Sequence, residues 1–437
     1  MNSYFGDTER VGSAASSPSS PEARLDQSML GPLLTFASRN GTLYANNSPL
    51  ILKGANWYGF ETTQGVVHGL YAQPLSVFLG ILQDNDFNAV RLPLDLDLIL
   101  HDRKHGFIKP EPNQTAGALV EEAEDCWQQH LKAAGGDAAE AALGAASCGG
   151  PSPLMKNTSL EVLDIMIDMF AARGILVLLD LHCLSTAGTN ASPLFYDDTH
   201  PVSDAVAGWS KLAQKFGDRW NVLGADVFNE PFGATWAEGK PSDMDAFAKQ
   251  AAAAIHTHAP NWLVFVEGTA HSPNCTSTID GDDVECGYGD NLLGAMAEPL
   301  SLAAKDKLVY SPHTYGPSQH DRAEFHNAEF PANMPDVWSA HWGALVARRA
   351  ADTPAVVLGE WGGPVSGDNG EWAEALVAYL QSTALTSNFF WALNEDGTPK
   401  GLITDWTTSP PTLDAAKLAL LRKLTPHPTN VSALRAR

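Results

Sequence analysis

Eight short apolar segments, separated by polar loops and helix-like stretches, constrain the fold of this sequence most strongly. They are rich in β-branched and aromatic residues and occupy residues 50–57, 88–94, 175–182, 225–230, 262–267, 308–313, 355–361 and 388–393. The stretches between them, such as residues 160–173, 244–258 and 371–382, carry apolar side chains at helical spacing. Apolar strands that alternate with helices indicate a parallel sheet that is covered on both faces.

Eight strand–helix units of this kind predict a (β/α)8 TIM barrel, an α/β fold, in a single domain. We expect the domain to span residues 36–425, with a long Ala/Gly-rich insertion at about residues 100–153 after the second strand. Residues 1–35 are rich in Ser, Pro and Ala, which predicts a flexible arm. Residues 426–437 are expected to form a short polar tail.

The charge balance of the chain excludes two classes of partner. The formal net charge is −24 at pH 7, and no basic run occurs, which argues against binding to nucleic acid or to an anionic membrane. Membrane insertion is not expected either, because no apolar stretch approaches the roughly 18 residues of a membrane span. The composition fits a soluble protein with a neutral ligand.

Cysteine spacing bears on disulfides, metals and compartment. Cys126 with Cys148 and Cys275 with Cys286 are two candidate disulfide pairs, and Cys183 in an apolar run is predicted to be a buried thiol. No CxxC pair occurs and the acidic residues at 280–285 lack EF-hand spacing, so we predict no metal and no cofactor. The paired cysteines and seven N-x-Ser/Thr sequences favour an extracellular or secretory location. The first residues lack the basic start and apolar centre of a signal peptide, which leaves the export route open.

Polar residues end most of the predicted strands, at the barrel edge where this fold carries its chemistry. An apolar strand that ends in a carboxylate is destabilised unless the carboxylate is paired, so a shared site is indicated. The residues concerned are Arg91, Asp180, His182, Asn229, Glu230, His313, Tyr315, Glu360 and Trp391. We interpret Asp180 and Glu267 as a supporting network.

Glu230 and Glu360 are predicted on opposite sides of the barrel mouth, and such a pair suits acid/base and nucleophilic chemistry on an acetal. One carboxyl group must hold a proton near neutral pH, while the other must be ionised. Arg91 could keep the nucleophile charged, Tyr315 could donate a hydrogen bond to it, and Trp391 offers a flat face to sugar C–H groups. Structural roles stay open: a rim ion pair for the charged residues, and core packing for the tryptophan.

These segments resemble glycoside hydrolase family 5, and most closely its bacterial single-barrel endo-β-1,4-glucanases. The resemblance covers roughly residues 50–424 apart from the insertion, and it depends on LKGANWYGFET, VRLPL, LDLH, FNEP, SPHTYGP, LGEWG and WALNEDGTPKGLITDW. FNEP alone is a weak signal. Together with LGEWG, some 130 residues further on, it is a strong one.

The resemblance implies a retaining double displacement, with Glu230 as the acid/base and Glu360 as the nucleophile. It implies that Asn229 contacts the sugar 2-hydroxyl and that Trp391 is a stacking platform. The residues implied around the two carboxylates are Arg91, His182, His313 and Tyr315. Those implied along the groove are His68, Tyr71 and Tyr288.

The sequence therefore predicts an endo-β-1,4-glucanase, a cellulase that acts as a monomer on a polysaccharide or oligosaccharide. The same mechanism on mannan, another β-glucan or a glycolipid is the alternative, although FPANMP and GLITDW favour glucanases. A non-catalytic glycan-binding barrel is the remote alternative. Such a protein would usually have lost one of the two carboxylates, and both are present here.

Overall fold

Nine parallel strands form one sheet that closes almost completely on itself. The computed structural model describes residues 33–106, 108–109, 154, 157–186, 192–273, 275, 277–279, 282–347 and 350–435. The barrel strands are Lys53–Asn56, Ala89–Asp95, Leu176–Cys183, Val222–Asp226, Leu263–Val266, Leu308–Tyr310, Ala355–Val356, Leu358–Gly362 and Asn388–Trp391. With helices packed around the sheet, this architecture confirms the predicted (β/α)8 barrel.

Strand seven closes the barrel in two pieces, which explains why eight predicted runs yield nine strands. Ala355–Val356 pairs with Leu308–Tyr310, whereas Leu358–Gly362 pairs with Asn388–Trp391 on the other side. Val357 lies between the pieces, and its N–H still donates to the Tyr310 carbonyl at 2.9 Å. The strand thus changes partners along its length and joins the two ends of the sheet.

The helices cover the outside of the barrel with their apolar faces. The described helices are Leu75–Asp84, Leu96–His101, Ser159–Ala171, Val202–Phe216, Met244–His258, Leu293–Ala297, Met334–Trp338, Ala344–Ala347, Gly367–Thr383, Ala415–Leu424 and Val431–Arg435. Capping sets some of their starts: the Glu161 carboxylate accepts the Thr158 N–H at 2.7 Å, and Asp414 caps the helix Ala415–Leu424. Among the described residues, no helix is long and apolar enough to cross a membrane.

Side chains that alternate between the inner and outer faces of the strands place charged groups at one end of the barrel interior. In the third strand, Leu176 and Leu178 belong to the inner core, while Val177 and Leu179 pack under the helices. Because successive side chains point to opposite faces, Asp180 falls on the inner side, above the leucines. The fifth strand repeats this pattern. The inner barrel is therefore apolar at one end and charged at the other, where the strands finish.

The apolar end is closed by the two ends of the described chain. A three-stranded antiparallel sheet packs there, formed by Phe36–Arg39, Thr42–Ala45 and Ser48–Pro49. Within residues 426–437, expected as a polar tail, Val431–Arg435 form a helix whose Val431 and Leu434 join the inner core. Most of the expected arm and insertion, together with Cys126 and Cys148, lies outside the described residues.

Candidate active site

Arg91 lies at the centre of the charged end of the barrel and is completely buried. Its guanidinium group contacts six side chains at 2.7–3.1 Å, and these define the Arg91 network: Asn56, Asp180, Asp226, Asn229, Glu267 and Glu360. Burial alone would lower the pKa of Arg91, but the surrounding carboxylates raise it well above its ordinary value. One permanent cation on the second strand therefore holds side chains at the ends of five other strands, since Asp226 and Asn229 both lie at the end of the fourth.

Glu360 is held by two donors in the last residues of strand seven. Arg91 Nη1 contacts its Oε1 at 2.7 Å, and the Tyr315 hydroxyl donates to its Oε2 at 2.7 Å. Burial raises the pKa of a carboxyl group, but the charges of His313 and Arg91 outweigh this effect and hold the pKa of Glu360 below its ordinary value. Glu360 is thus buried, ionised and fixed in orientation.

Glu230 lies four residues beyond the fourth strand, because the strand covers Val222–Asp226 rather than the predicted 225–230. Its φ of 44° is a conformation that a non-glycine residue rarely adopts, at a cost of about 1–3 kcal/mol. The Glu267 carboxylate accepts the Glu230 N–H at 2.7 Å and holds the backbone in place. Burial, together with the charge of Glu360, raises the pKa of Glu230. Two neighbouring glutamates therefore have oppositely shifted pKa values.

His313 joins the two glutamates. Its Nδ1 lies 3.0 Å from Glu230 Oε1 and 3.7 Å from Glu360 Oε2, and its Nε2 lies 3.2 Å from Glu267 Oε1. Burial would lower the pKa of His313, but these carboxylates raise it well above its ordinary value. One oxygen of Glu230, one of Glu360 and one nitrogen of His313 all lie within 4.8 Å of one another.

Trp391 ends the eighth strand beside two further rings. The His182 ring is 5.8 Å away with planes 12° apart, and the Tyr58 ring is 5.5 Å away with planes 11° apart. Asp180 contacts His182 Nδ1 at 2.7 Å. Burial opposes protonation of His182, but the Asp180 charge raises its pKa to about 9. The positively charged His182 ring therefore faces the Trp391 indole, and this cation–π contact stabilises the arrangement of the two rings.

His68 and Tyr71 meet at a carboxylate that carries three hydrogen bonds. Asp396 accepts from His68 Nδ1 at 2.8 Å, from the Tyr71 hydroxyl at 3.2 Å and from the Tyr58 hydroxyl. We call these four residues the Asp396 network. Burial would raise the pKa of Asp396, but the bonds from His68 and Tyr58 lower it. The Asp396 side chain remains 35% exposed, so this network borders solvent.

Tyr288 lies apart from both networks. Its ring stacks on Phe232, with centroids 4.4 Å apart and planes at 18°, and the residue is 40% exposed. The Phe232 N–H donates to the Glu230 carbonyl at 2.6 Å, so this stack adjoins the backbone of Glu230. The neighbouring Cys286 forms a disulfide with Cys275. Cys183 is buried and free.

The cellulase model of glycosyl hydrolase family 5 matches residues 45–397. The chain belongs to this family. It is 32% identical over 403 residues to the major extracellular endoglucanase of Xanthomonas campestris, a match that covers 90% of this chain and 72% of that protein. It is 29% identical over 362 residues to an endoglucanase of Paenibacillus polymyxa, which covers 81% and 79%. The predicted family and glycosidase class are thereby confirmed.

Solved structures show the same relationship. The catalytic domain of the Xanthomonas enzyme has a TM-score of 0.71 at 31% identity, with 87% of this chain and 96% of that chain covered. A cellotetraose complex of an endocellulase from Pyrococcus horikoshii has a TM-score of 0.74 at 29% identity, with 90% and 98% covered. Both comparisons cover at least 87% of this chain.

Metal binding at this family 5 site is disfavoured by the cation already present. Among the described residues, three groups of side chains have possible metal-ligand atoms within 4.8 Å of one another. Two of them lie in this site, namely Asp226–Glu267–His313 and Glu230–His313–Glu360. The Arg91 guanidinium lies against Asp226, Glu267 and Glu360, so a second cation would meet charge repulsion. The third group, Cys275–Cys286–His341, uses its sulfur atoms in the disulfide.

Four residues of the site were not singled out from the sequence. Asn56 and Asp226 end apolar strands, so the rule that selected Arg91 applied to them as well. Burial and the charge of Glu267 raise the pKa of Asp226 well above its ordinary value, against the effect of Arg91. Tyr58 and Asp396 lie 338 positions apart, near loops that follow different strands. No local pattern in the family 5 sequence connects them.

Proposed function

We propose that this protein is an endo-β-1,4-glucanase that hydrolyses cellulose and related glucans with retention of configuration. The observation that carries the proposal is the approach of Glu230 and Glu360, whose nearest carboxylate oxygens lie within 4.8 Å. Retaining glycosidases place their carboxyl groups about 5–5.5 Å apart, whereas inverting enzymes separate them by roughly 6.5–9.5 Å to admit water. The observed spacing supports attack by one glutamate on the sugar.

In the first step, Glu360 attacks the anomeric carbon and the glycosidic C–O bond breaks. Glu230 donates its proton to the leaving oxygen, and a glycosyl-enzyme ester forms at Glu360. The opposite pKa shifts support these roles, because the raised pKa of Glu230 keeps a proton available and the lowered pKa of Glu360 keeps it ionised. His313 contacts both groups and couples their charge states.

In the second step, Glu230 takes a proton from water while the water oxygen attacks the anomeric carbon. The bond to Glu360 breaks, and the carboxylate returns to its hydrogen bonds with Arg91 and Tyr315. Burial and the charge of Glu360 raise the pKa of Tyr315, so its hydroxyl stays a donor throughout. Two inversions at the same carbon give net retention.

Substrate binding is proposed along a line from the Asp396 network, past Trp391, to Tyr288. Trp391 supplies a stacking face, and Asn229, whose Oδ1 accepts from Arg91 at 2.9 Å, keeps its amide N–H groups as donors for the sugar 2-hydroxyl. Endoglucanases among the relatives, and a cellotetraose complex of one structural relative, support a β-1,4-glucan chain as the ligand.

An extracellular location and a monomeric state complete the proposal. The Xanthomonas relative is named as extracellular, and the Cys275–Cys286 disulfide is typical of an oxidising compartment. A single barrel that contains both carboxylates needs no second subunit to complete the site.

The test is hydrolysis of carboxymethylcellulose, mixed-linkage glucan, mannan, xyloglucan and a glycolipid by the full chain. We expect rapid viscosity loss on carboxymethylcellulose, a β-configured first product by proton NMR, and loss of turnover in Glu230→Gln and Glu360→Gln. Activity on mannan, xyloglucan or the glycolipid alone would keep the mechanism and change the substrate. A folded wild type that binds cello-oligosaccharides but cleaves nothing would indicate a binding protein instead.

A further inference from the structure

A buried carboxylate that the mechanism does not use, that of Asp290, follows Tyr288 by two residues. Asp290 is 2% exposed, and its two oxygens accept from His341 Nδ1 at 2.8 Å and from Trp342 Nε1 at 3.0 Å. A one-turn π-helix, Ser339–Gly343, places these two donors next to each other in the chain. Burial would raise the pKa of Asp290, but His341 lowers it, so the anchor is a charged acceptor.

The short loop that carries Asp290 reaches the catalytic residues through its backbone. We call residues 285–291 the Tyr288 loop. Its Gly289 carbonyl accepts from Gly268 N at 3.0 Å and from His313 N at 3.3 Å. Gly289 has a φ of +72°, and a Cβ there would lie 2.9 Å from Glu267 Oε2 and 3.0 Å from the His313 ring. Only glycine lets the loop pack this closely against the groups that hold Glu230.

The other end of the Tyr288 loop is held by a disulfide and by Arg322, whose Nη1 also lies 3.8 Å from Asp290 Oδ2. Cys286 is bonded to Cys275, and Arg322 Nη1 donates to the Glu285 carbonyl at 3.4 Å. Tyr288 is thus the exposed residue between two buried anchors, with Phe232 under its ring. A ring held in this way loses little freedom when a ligand stacks on it.

The position of this ring relative to Glu230 defines which part of the substrate it can meet. The acid/base must lie against the glycosidic oxygen, so the sugar on its side is the one that departs in the first step. The Phe232 N–H donates to the Glu230 carbonyl at 2.6 Å, and the Phe232 ring supports Tyr288. Gly289, which follows Tyr288, accepts from the N–H of His313, whose side chain contacts the Glu230 carboxyl group at 3.0 Å. The Tyr288 face therefore adjoins the leaving sugar.

We propose that Asp290 is a positioning residue that sets the Tyr288–Phe232 stack for the leaving-side sugars of a β-glucan. This inference rests on the proposed function. Asp290 makes no contact with the reacting atoms and acts through Tyr288. Its effect falls on substrates that have sugars on the leaving side, and not on the chemistry at Glu360.

The test compares cellopentaose with β-cellobiosyl fluoride, whose fluoride leaving group occupies no sugar position. Asp290→Asn retains one carbonyl oxygen for three donors, namely His341 Nδ1, Trp342 Nε1 and the Gly287 N–H, so at least one of them loses its acceptor. We expect kcat/KM for cellopentaose to fall about 3- to 10-fold, mainly through KM, as in Tyr288→Ala. Turnover of the fluoride should stay within about twofold, and the double variant should be no worse than Tyr288→Ala alone.

Equal losses on both substrates would mean general damage to the fold and would overturn the proposal. So would a double variant whose loss is the product of the single losses. If Asp290→Asn does not fold, Trp342→Phe, which removes one donor to Asp290, tests the proposal with the same two substrates. Its matched control is Trp338→Phe, since Trp338 Nε1 is buried without a hydrogen-bond partner among the described residues. Wild-type turnover of the two substrates reports separately on the proposed function.

Discussion

The Arg91 network and the Asp396 network are built on the same plan with opposite charge. In the first, a cation binds carboxylates and amides at the ends of five strands. In the second, a carboxylate after the eighth strand accepts three hydrogen bonds from the loop that follows the neighbouring first strand. Arg91 is completely buried, whereas the Asp396 side chain is 35% exposed. The difference between the two is mainly one of access to water.

Water decides how much each contact matters. Buried charges interact strongly, and removing one of them leaves its partner buried and unpaired, which costs stability. Contacts at the surface are screened by water and salt, and water can replace the lost partner. The Arg91 network can therefore shift pKa values in opposite directions at Glu230 and Glu360. The Asp396 network can hold Tyr58 beside Trp391, but we expect it to tune binding rather than chemistry.

The largest effect is expected for Arg91→Lys. An ammonium group keeps the charge but cannot reach the six partners of the planar guanidinium, so several carboxylates lose their donor. We expect the free energy of unfolding to fall by about 3–5 kcal/mol. We expect kcat to fall by about 10²–10³-fold. Urea unfolding and hydrolysis of a soluble cello-oligosaccharide measure both, and a fully stable and active variant would contradict the description of Arg91 as the organising charge.

Glu267→Gln should have the next largest effect, and it should shift the pH dependence of kcat/KM. The Glu267 carboxylate accepts the Glu230 N–H, and its charge contributes to the raised pKa of Glu230. Neutralising it lowers the pKa of Glu230, so the alkaline limb of kcat/KM moves to lower pH. Looser placement of Glu230 should cost about 10- to 100-fold in kcat. The acidic limb, which reports ionisation of Glu360, serves as the internal reference. An alkaline limb that stays in place or rises would rule out this coupling.

Most of the Arg91 network could be predicted from the sequence because strands have a period of two. Asp180 falls two residues after Leu178 on the inner face of a buried strand, so its position follows from the alternation. The prediction for Glu230 was less accurate. The strand ends at Asp226, and the positive φ of Glu230 places this residue in the loop, where local patterning gives no position.

The Asp396 network could not be predicted, for a physical reason. Tyr58 and Asp396 meet only because the first and eighth strands are neighbours in the closed barrel. Loop side chains have no periodicity that would indicate their direction. His68 and Tyr71 were expected along the groove from family resemblance, but their shared carboxylate partner was not.

Asp396→Asn is expected to have a modest effect on binding. The amide keeps the size of the side chain but replaces one acceptor oxygen with a donor, so either the Tyr58 bond to Oδ1 or the His68 and Tyr71 bonds to Oδ2 are lost. Partly exposed interactions of this kind are worth roughly 0.2–1 kcal/mol, so we expect KM for cellopentaose to rise by about fivefold or less, with kcat unchanged. Tyr58→Phe should reproduce part of this change. A large loss of kcat in either variant would show that the loop network takes part in the chemistry.

The smallest expected effect is a difference in how salt changes the stability losses caused by substitutions in the two networks. The Debye length shrinks to about 3 Å at 1 M salt, so contacts open to solvent weaken while buried ones do not. The stability loss caused by Asp396→Asn should therefore decrease by a few tenths of a kcal/mol between low and high NaCl. The loss caused by Glu267→Gln should stay constant, because Glu267 is completely buried. Asp198→Asn, an exposed carboxylate on another loop, controls for the change in net charge. If the stability losses of Asp396→Asn and Glu267→Gln depended equally on salt, access to water would not explain the difference between the two networks.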